Sequence, residues 1–219
     1  MCGRYTNRMT WEEMVALYEI HNTEFRPNLK PRYNIAPTQM VPVVRDDAGT
    51  RRFGIMRWGW ERDWAKQTII NATAEKVPTS RVFRQAFEQR RCLVPADGFY
   101  EWKTEGGVRH PYRIVVGDGA PFAMAGIWET WTADKDGRDF AKGDVLDAFT
   151  IVTTAANDTV KPLHTRMPVI LPSETWGAWL DCSAGADVLR PYGGAMRFYR
   201  VSRDVNNVRN DRPQLIEAA

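Results

Sequence analysis

Between Met40 and Val201 the chain passes through seven β-rich apolar segments, several separated only by short turns, and this succession restricts the fold more than any other feature. The segments cover residues 40–45, 52–60, 112–116, 122–131, 148–153, 167–171 and 196–201, with Asp118-Gly119 and Asp136-Gly137 as turn signals. Parallel neighbours need long crossovers, whereas antiparallel neighbours need only a turn. The order does not read as repeated strand–helix–strand units, so it predicts an α+β domain with a mostly antiparallel, strongly curved sheet. Helices are few and peripheral by pattern. Thr10-Trp11-Glu12-Glu13 has capping-box spacing ahead of Met14, Leu17 and Tyr18. Thr79 or Ser80 opens a second helix with Val82, Phe83, Ala86 and Phe87 on one face, and Ser173 caps a third containing Trp176, Trp179 and Leu180. Residues 33–38, Tyr-Asn-Ile-Ala-Pro-Thr, read as a loop.

No repeat, low-complexity tract or Gly/Ser linker divides the sequence, so one domain over residues 1–219 is expected. The first thirty residues lack a signal-peptide layout, and no apolar run approaches the roughly 18 residues of a membrane span, which places the protein in the cytoplasm. Cys2, Cys92 and Cys182 are odd in number and widely spaced, and His21, His110 and His164 are scattered. Neither a disulfide framework nor a metal site is indicated, and no cofactor is implied. The basic residues divide into 7 lysines and 23 arginines, and nine tryptophans accompany them. Arginine's planar fork suits phosphate and stacks on rings, so this composition agrees with nucleic-acid binding and equally with a plain compositional bias.

Several polar side chains stand where packing does not ask for them. Asn71 follows an apolar Ile69-Ile70 pair, Glu101 lies between aromatics in Gly98-Phe99-Tyr100-Glu101-Trp102, and His164 and Arg166 stand at the mouth of a strand. Cys2 directly behind the initiator methionine would, after removal of Met1, carry an α-amine beside its thiol. Taken singly, each residue has an ordinary alternative: a turn-forming Asn, a solvated strand Glu, a structural His, a surface Arg, a small buried Cys.

Taken in order, MCGRYT, RYNIAPTQ, RWGW, INATAEKVPTSRVF, RRCLVPADGFYEWK, IVTTAAN, LHTRMP and VSRDVNNVRND resemble the SOS-response-associated peptidase family from residue 2 to about residue 210. The resemblance implies a single domain built on a barrel-like antiparallel sheet with a positively charged groove. It implies a bacterial, nucleoid-associated, monomeric sensor of abasic sites in single-stranded DNA, which forms a covalent thiazolidine between the N-terminal cysteine and the ring-opened sugar. Such self-modifying cross-linking shields the lesion during the DNA damage response.

By the same resemblance Cys2 is the nucleophile, Asn71 holds the amine and sugar, Glu101 handles protons on the amine side, and His164 opens the sugar. Arg4 and Arg166 match phosphate-gripping arginines. Trp58, Trp60 and Trp64 lie in the base-stacking segment, and Asn34 belongs to the DNA-binding set. The family commonly reads Asn-Ala-Arg where this chain has Asn71-Ala72-Thr73, so one phosphate contact is missing, with Arg81 or Arg62 as replacements. Two rival readings remain: a cysteine-type autopeptidase using Cys2 with His164 as base, and a non-covalent single-strand-binding module. The first leaves only Met1 to excise, and the second leaves Cys2, Asn71, Glu101 and His164 without a task.

Overall fold

Thirteen strands run through the described residues: β1 (Tyr5–Asn7), β2 (Arg32–Ile35), β3 (Met40–Asp47), β4 (Thr50–Trp58), β5 (Asn71–Thr73), β6 (Arg91–Ala96), β7 (Gly98–Glu105), β8 (Val108–Val116), β9 (Phe122–Thr132), β10 (Val145–Ala155), β11 (Arg166–Pro168), β12 (Ile170–Leu171) and β13 (Met196–Arg200). The α-helices are α1 (Trp11–Tyr18), α2 (Arg84–Gln89) and α3 (Trp176–Leu180). This computed structural model describes the whole chain except Met1, Phe25, Asp63, Asp134, Lys135 and residues 137–139, so the expected turn at Asp136-Gly137 lies outside the described residues.

Two-residue turns fix two of the hairpins. Ala48-Gly49 joins β3 to β4 and Gly106-Gly107 joins β7 to β8, all four residues with positive φ, as the right-handed twist of a tight hairpin requires. A ring of neighbours, β10–β4–β3–β6–β9 and back to β10, closes the larger sheet into a barrel, with β5, β11 and β12 attached. Among the described residues, only the β10–β4 and β10–β5 pairings are parallel. Val169 makes the step from β11 to β12, donating to Val152 O and accepting from Ala125 N, both at 2.9 Å. One expected strand over residues 167–171 is therefore two, each serving a different neighbour. The smaller sheet, in the order β13-β8-β7-β1-β2, is antiparallel throughout. One buried apolar cluster holds side chains of both sheets, including Tyr5, Phe99, Val43, Trp58 and Phe149.

Helix α1 carries both halves of the capping box: Thr10 Oγ1 accepts from Glu13 N at 3.2 Å, and Glu13 Oε2 accepts from Thr10 N at 2.8 Å. Helix α2 starts at Arg84, later than the Thr79/Ser80 expectation, because residues 80–83 form a turn in which Ser80 O accepts from both Phe83 N and Arg84 N. Ser173 opens a 3-10 turn and makes no side-chain cap, although Trp176, Trp179 and Leu180 are buried as expected. The segment read as a loop at 33–38 is strand β2 through Ile35 and turns only after it, since β2 is paired with β1. Strand β4 ends at Trp58 rather than residue 60 because Gly59 has φ +115, and a Cβ there would meet Thr68 Cγ2 at 2.4 Å.

Candidate active site

The N-terminal arm is threaded between elements that hold it from several sides. Strand β1 pairs with β7 through Tyr5↔Phe99 and Thr6↔Gly98, and Tyr100 N donates to Arg4 O at 2.9 Å. Continued one step, that antiparallel run brings Gly3 alongside Glu101. From the barrel side, β5 is clamped on β10 in the register Asn71↔Ile151, and Asn71 Nδ2 donates to the Cys2 carbonyl at 2.9 Å. Asn71 Oδ1 is buried and has no hydrogen-bond partner among the described residues.

Gly3, Arg4, Glu101, Trp102, Arg109, His164 and Asn206 line one cavity of about 410 Å³. Cys2 does not line it and is fully buried in the apolar cluster that contains Trp58, Phe149 and Val160. Burial pushes the Cys2 thiol far up, and the Glu101 charge pushes the same way, so the sulfur is protonated in the resting protein. Glu101 is 3% exposed. Burial raises its pKa while His164 and Arg109 pull it back. The result is a carboxyl that keeps its proton to higher pH than an exposed one.

His164 closes the turn that precedes β11. Val160 N and Lys161 N donate to Asn157 O, His164 N donates to Val160 O, and the Asn157 side chain ties the turn to Tyr192 O at 2.9 Å. Arg166 N donates to His164 Nδ1 at 2.9 Å. An amide hydrogen is always present, so neutral His164 accepts at Nδ1 and carries its proton on Nε2. Nδ1 also lies 3.2 Å from Arg166 O, a contact that can act as a hydrogen bond only when Nδ1 is protonated.

The structure thus gathers Cys2, Asn71, Glu101 and His164, with Arg4 at the same cavity. Arg166 follows two residues after His164, where Glu75 grips it in a bidentate pair at 2.7 and 2.9 Å. Three expected DNA contacts are corrected. Trp58 and Trp60 are fully buried, their indole N–H groups spent on Ile70 O and Ala148 O, each at 3.0 Å, so neither ring can meet a base. Asn34 is buried too; its amide donates to Val205 O, Asn207 O and Asn210 O and its Oδ1 accepts from Arg4 Nη1 at 2.7 Å, so it positions Arg4 instead of touching a ligand.

Trp64, in contrast, is 66% exposed. It shares a second recess with Arg62, Arg81 and Arg90, where Arg62 is paired with Glu129. That recess shares no lining residue with the first, so Arg62 and Arg81 do not line the N-terminal cavity. Trp102, Arg109 and Asn206 were not among the expected site residues. The Gly106-Gly107 pair was the available signal, since a two-residue turn there sets Thr104 opposite Arg109, diagonal to Trp102. Among the described residues no group of three or more His, Cys, Asp or Glu side chains is arranged to hold a metal ion, and no helix is long and apolar enough to cross a membrane.

Comparison with known proteins places these residues in context. Residues 1–208 match the family described as SOS response associated peptidase (SRAP). Abasic site processing protein YoqW of Bacillus subtilis is 34% identical over 230 residues, covering 100% of both chains. Abasic site processing protein YedK of Escherichia coli is 30% identical over 228 residues, covering 99% of each. Abasic site processing protein HMCES of Gallus gallus is 28% identical, with 85% of this chain aligned to 66% of that one. A crystal structure from Bacteroides thetaiotaomicron superposes with a TM-score of 0.82 at 24% identity over 100% of both chains, a likeness of fold. One from Bordetella bronchiseptica gives 0.73 at 26% identity, covering 92% of this chain and 100% of that one.

Proposed function

The chain belongs to the SOS response associated peptidase (SRAP) family, and from that premise we propose that it captures abasic sites in single-stranded DNA as a thiazolidine on Cys2. One observation carries the reading: Asn71 pins the Cys2 carbonyl at 2.9 Å, beside a cavity lined by Glu101 and His164. An aminothiol is held still next to two proton-transfer groups.

The chemistry requires that Met1 be removed. The Cys2 α-amine, with an ordinary pKa of about 7.7 to 8.0, attacks the C1′ aldehyde of the opened sugar when neutral. The carbinolamine loses water to give an imine, and the thiol adds across the C=N bond, its proton ending on nitrogen. One C–N and one C–S bond form and one water leaves. Ring closure is intramolecular and gains from high effective molarity. His164, with its proton on Nε2, donates toward the sugar oxygen. Glu101 takes and returns protons at the amine and at the leaving hydroxyl, a task suited to a carboxyl whose pKa is raised. Arg4 and Arg166 bind flanking phosphates, and Trp64, with Arg81 beside it, stacks on a base.

The His164 tautomer supports this reading over a thiol peptidase. A peptidase base must present a lone pair to Cys2, but Nδ1 accepts from Arg166 N and Nε2 carries the hydrogen. The test is the intact mass of the purified chain before and after incubation with an abasic single-stranded oligonucleotide. The expected result is a chain lacking Met1 that gains the oligonucleotide mass less one water. No adduct, or an equally abundant adduct on chain that retains Met1, overturns the mechanism.

A further inference from the structure

Three arginines come close to the N-terminal site, and two of them are anchored by protein partners. Arg166 is held by both oxygens of Glu75 and also donates to Thr153 O at 2.6 Å. Arg4 donates through Nη1 to Asn34 Oδ1 at 2.7 Å and Val205 O at 2.8 Å. Arg109 is exposed and makes no side-chain hydrogen bond or ion pair among the described residues. Its guanidinium carbon lies 5.3 Å from the Trp102 ring centroid, and that of Arg4 lies 5.8 Å from the same ring. The indole is itself fixed, because Nε1 donates to Asn206 Oδ1 at 2.7 Å. All four side chains line the cavity that contains Glu101 and His164.

We propose that Arg109, held beside the Trp102 ring that Asn206 fixes, is a phosphate-binding residue that takes a backbone phosphate of the single strand flanking the nucleotide held at Glu101 and His164. The inference rests on the capture reading above and adds to it a contact from β8 of the smaller sheet. Two like charges beside one ring, one of them with no hydrogen-bonded carboxylate partner among the described residues, repel each other, and a bound anion relieves that repulsion. A guanidinium held beside a ring by cation–π attraction makes no hydrogen bond to it, so its N–H groups stay available for bidentate phosphate recognition. Arg109 is also one of the charges that hold down the Glu101 pKa against burial. A phosphate bound there would weaken that pull, so docking of DNA would help Glu101 to keep its proton when the sugar arrives.

The experiment uses the full chain and single-stranded oligonucleotides carrying a tetrahydrofuran in place of the abasic sugar, which binds without reacting. Anisotropy titrations across a salt series compare the parent with Arg109→Gln, and thermal melting checks that the exposed substitution leaves the fold intact. Arg109→Gln is expected to weaken binding about 3- to 10-fold at low salt and to flatten the log K against log [salt] slope by about 0.7, one single-strand phosphate contact. Replacing the flanking phosphates one at a time with neutral methylphosphonate should weaken the parent at one position by a similar factor and leave Arg109→Gln unaffected there. An unchanged slope, or equal sensitivity of both proteins at every position, overturns the Arg109 site. Failure of the capture chemistry appears elsewhere, as a parent that gives no adduct mass with a true abasic oligonucleotide.

Discussion

A thiol buried without accessible surface is a poor nucleophile until a neighbour takes its proton, and Cys2 is in that condition. Cys2→Ala is expected to abolish the heat-stable adduct while leaving an imine, trappable by borohydride, at the new terminal amine. Cys182→Ser should cross-link as the parent does, and so should Cys92→Ser at a temperature where it is folded, since the Cys92 sulfur packs against Gly126 inside the barrel. Gel mobility after heating reads all three. The tryptophans divide the same way between interior and surface. Trp58→Ala should cost about 3 to 5 kcal/mol of stability, visible in denaturant melts. Trp64→Ala should leave melts unchanged and weaken DNA binding by about 1 to 3 kcal/mol, the worth of one base stack. The residue types around these two indoles do not by themselves say which is buried. What separates them is Gly59, which ends β4 and turns Trp60 back onto Ile69, leaving Trp64 beyond the core.

Most long strands are legible in the sequence, but β7, eight residues long, is not, because its first four positions are all buried and show no alternation. Strands β3, β4, β9 and β10 run eight to eleven residues and appear in the sequence as expected, with ends displaced by up to three residues. Strands β1, β2 and β5 are three or four residues long, too short for alternation to show. Strand β6 is buried at every position, so it has no polar face to alternate with. The short strands nevertheless help to hold the site: β1 follows directly on Gly3 and Arg4 at the cavity and β5 carries Asn71, while Glu101 and Trp102 lie on the longer β7 and Arg109 on β8. Asn34 on β2 binds three carbonyls of the C-terminal segment and orients Arg4. Asn34→Ala is therefore expected to destabilise the chain by about 1 to 3 kcal/mol, the cost of orphaned buried partners, and to reduce adduct yield at low DNA concentration more than at saturation.

At the scale of the whole molecule, the buried carboxyl sets a conflict between stability and chemistry. Because burial raises the Glu101 pKa, the folded chain binds that proton more tightly than the unfolded chain does. The contribution is present in full below the ordinary carboxylate pKa and is lost as pH rises through the folded pKa. Glu101→Gln does not titrate. Its melting temperature relative to the parent should therefore rise from pH 4 to pH 8, while adduct formation slows by about 10² to 10⁴, the usual effect of removing a general acid or base. A relative melting temperature that falls over the same range would show that the charged carboxylate is favoured in the fold.

Complete burial of Cys2, with its carbonyl held by Asn71, also imposes an order on biosynthesis. An aminopeptidase must draw the first residues into its own active site, and a folded chain has no slack there to give. The clasp is not complete until β10 has been made, because Asn71 is held in register by Ile151. At about 5 to 20 residues per second, the ribosome leaves an interval on the order of 8 to 30 seconds in which the terminus is still accessible. On the proposed chemistry, in which Met1 must leave before Cys2 can react, maturation would be a race between a trimming enzyme and barrel closure. Chain that closes first would be well folded but unable to react, and purified Met1-bearing protein should be trimmed by methionine aminopeptidase only after it has been unfolded.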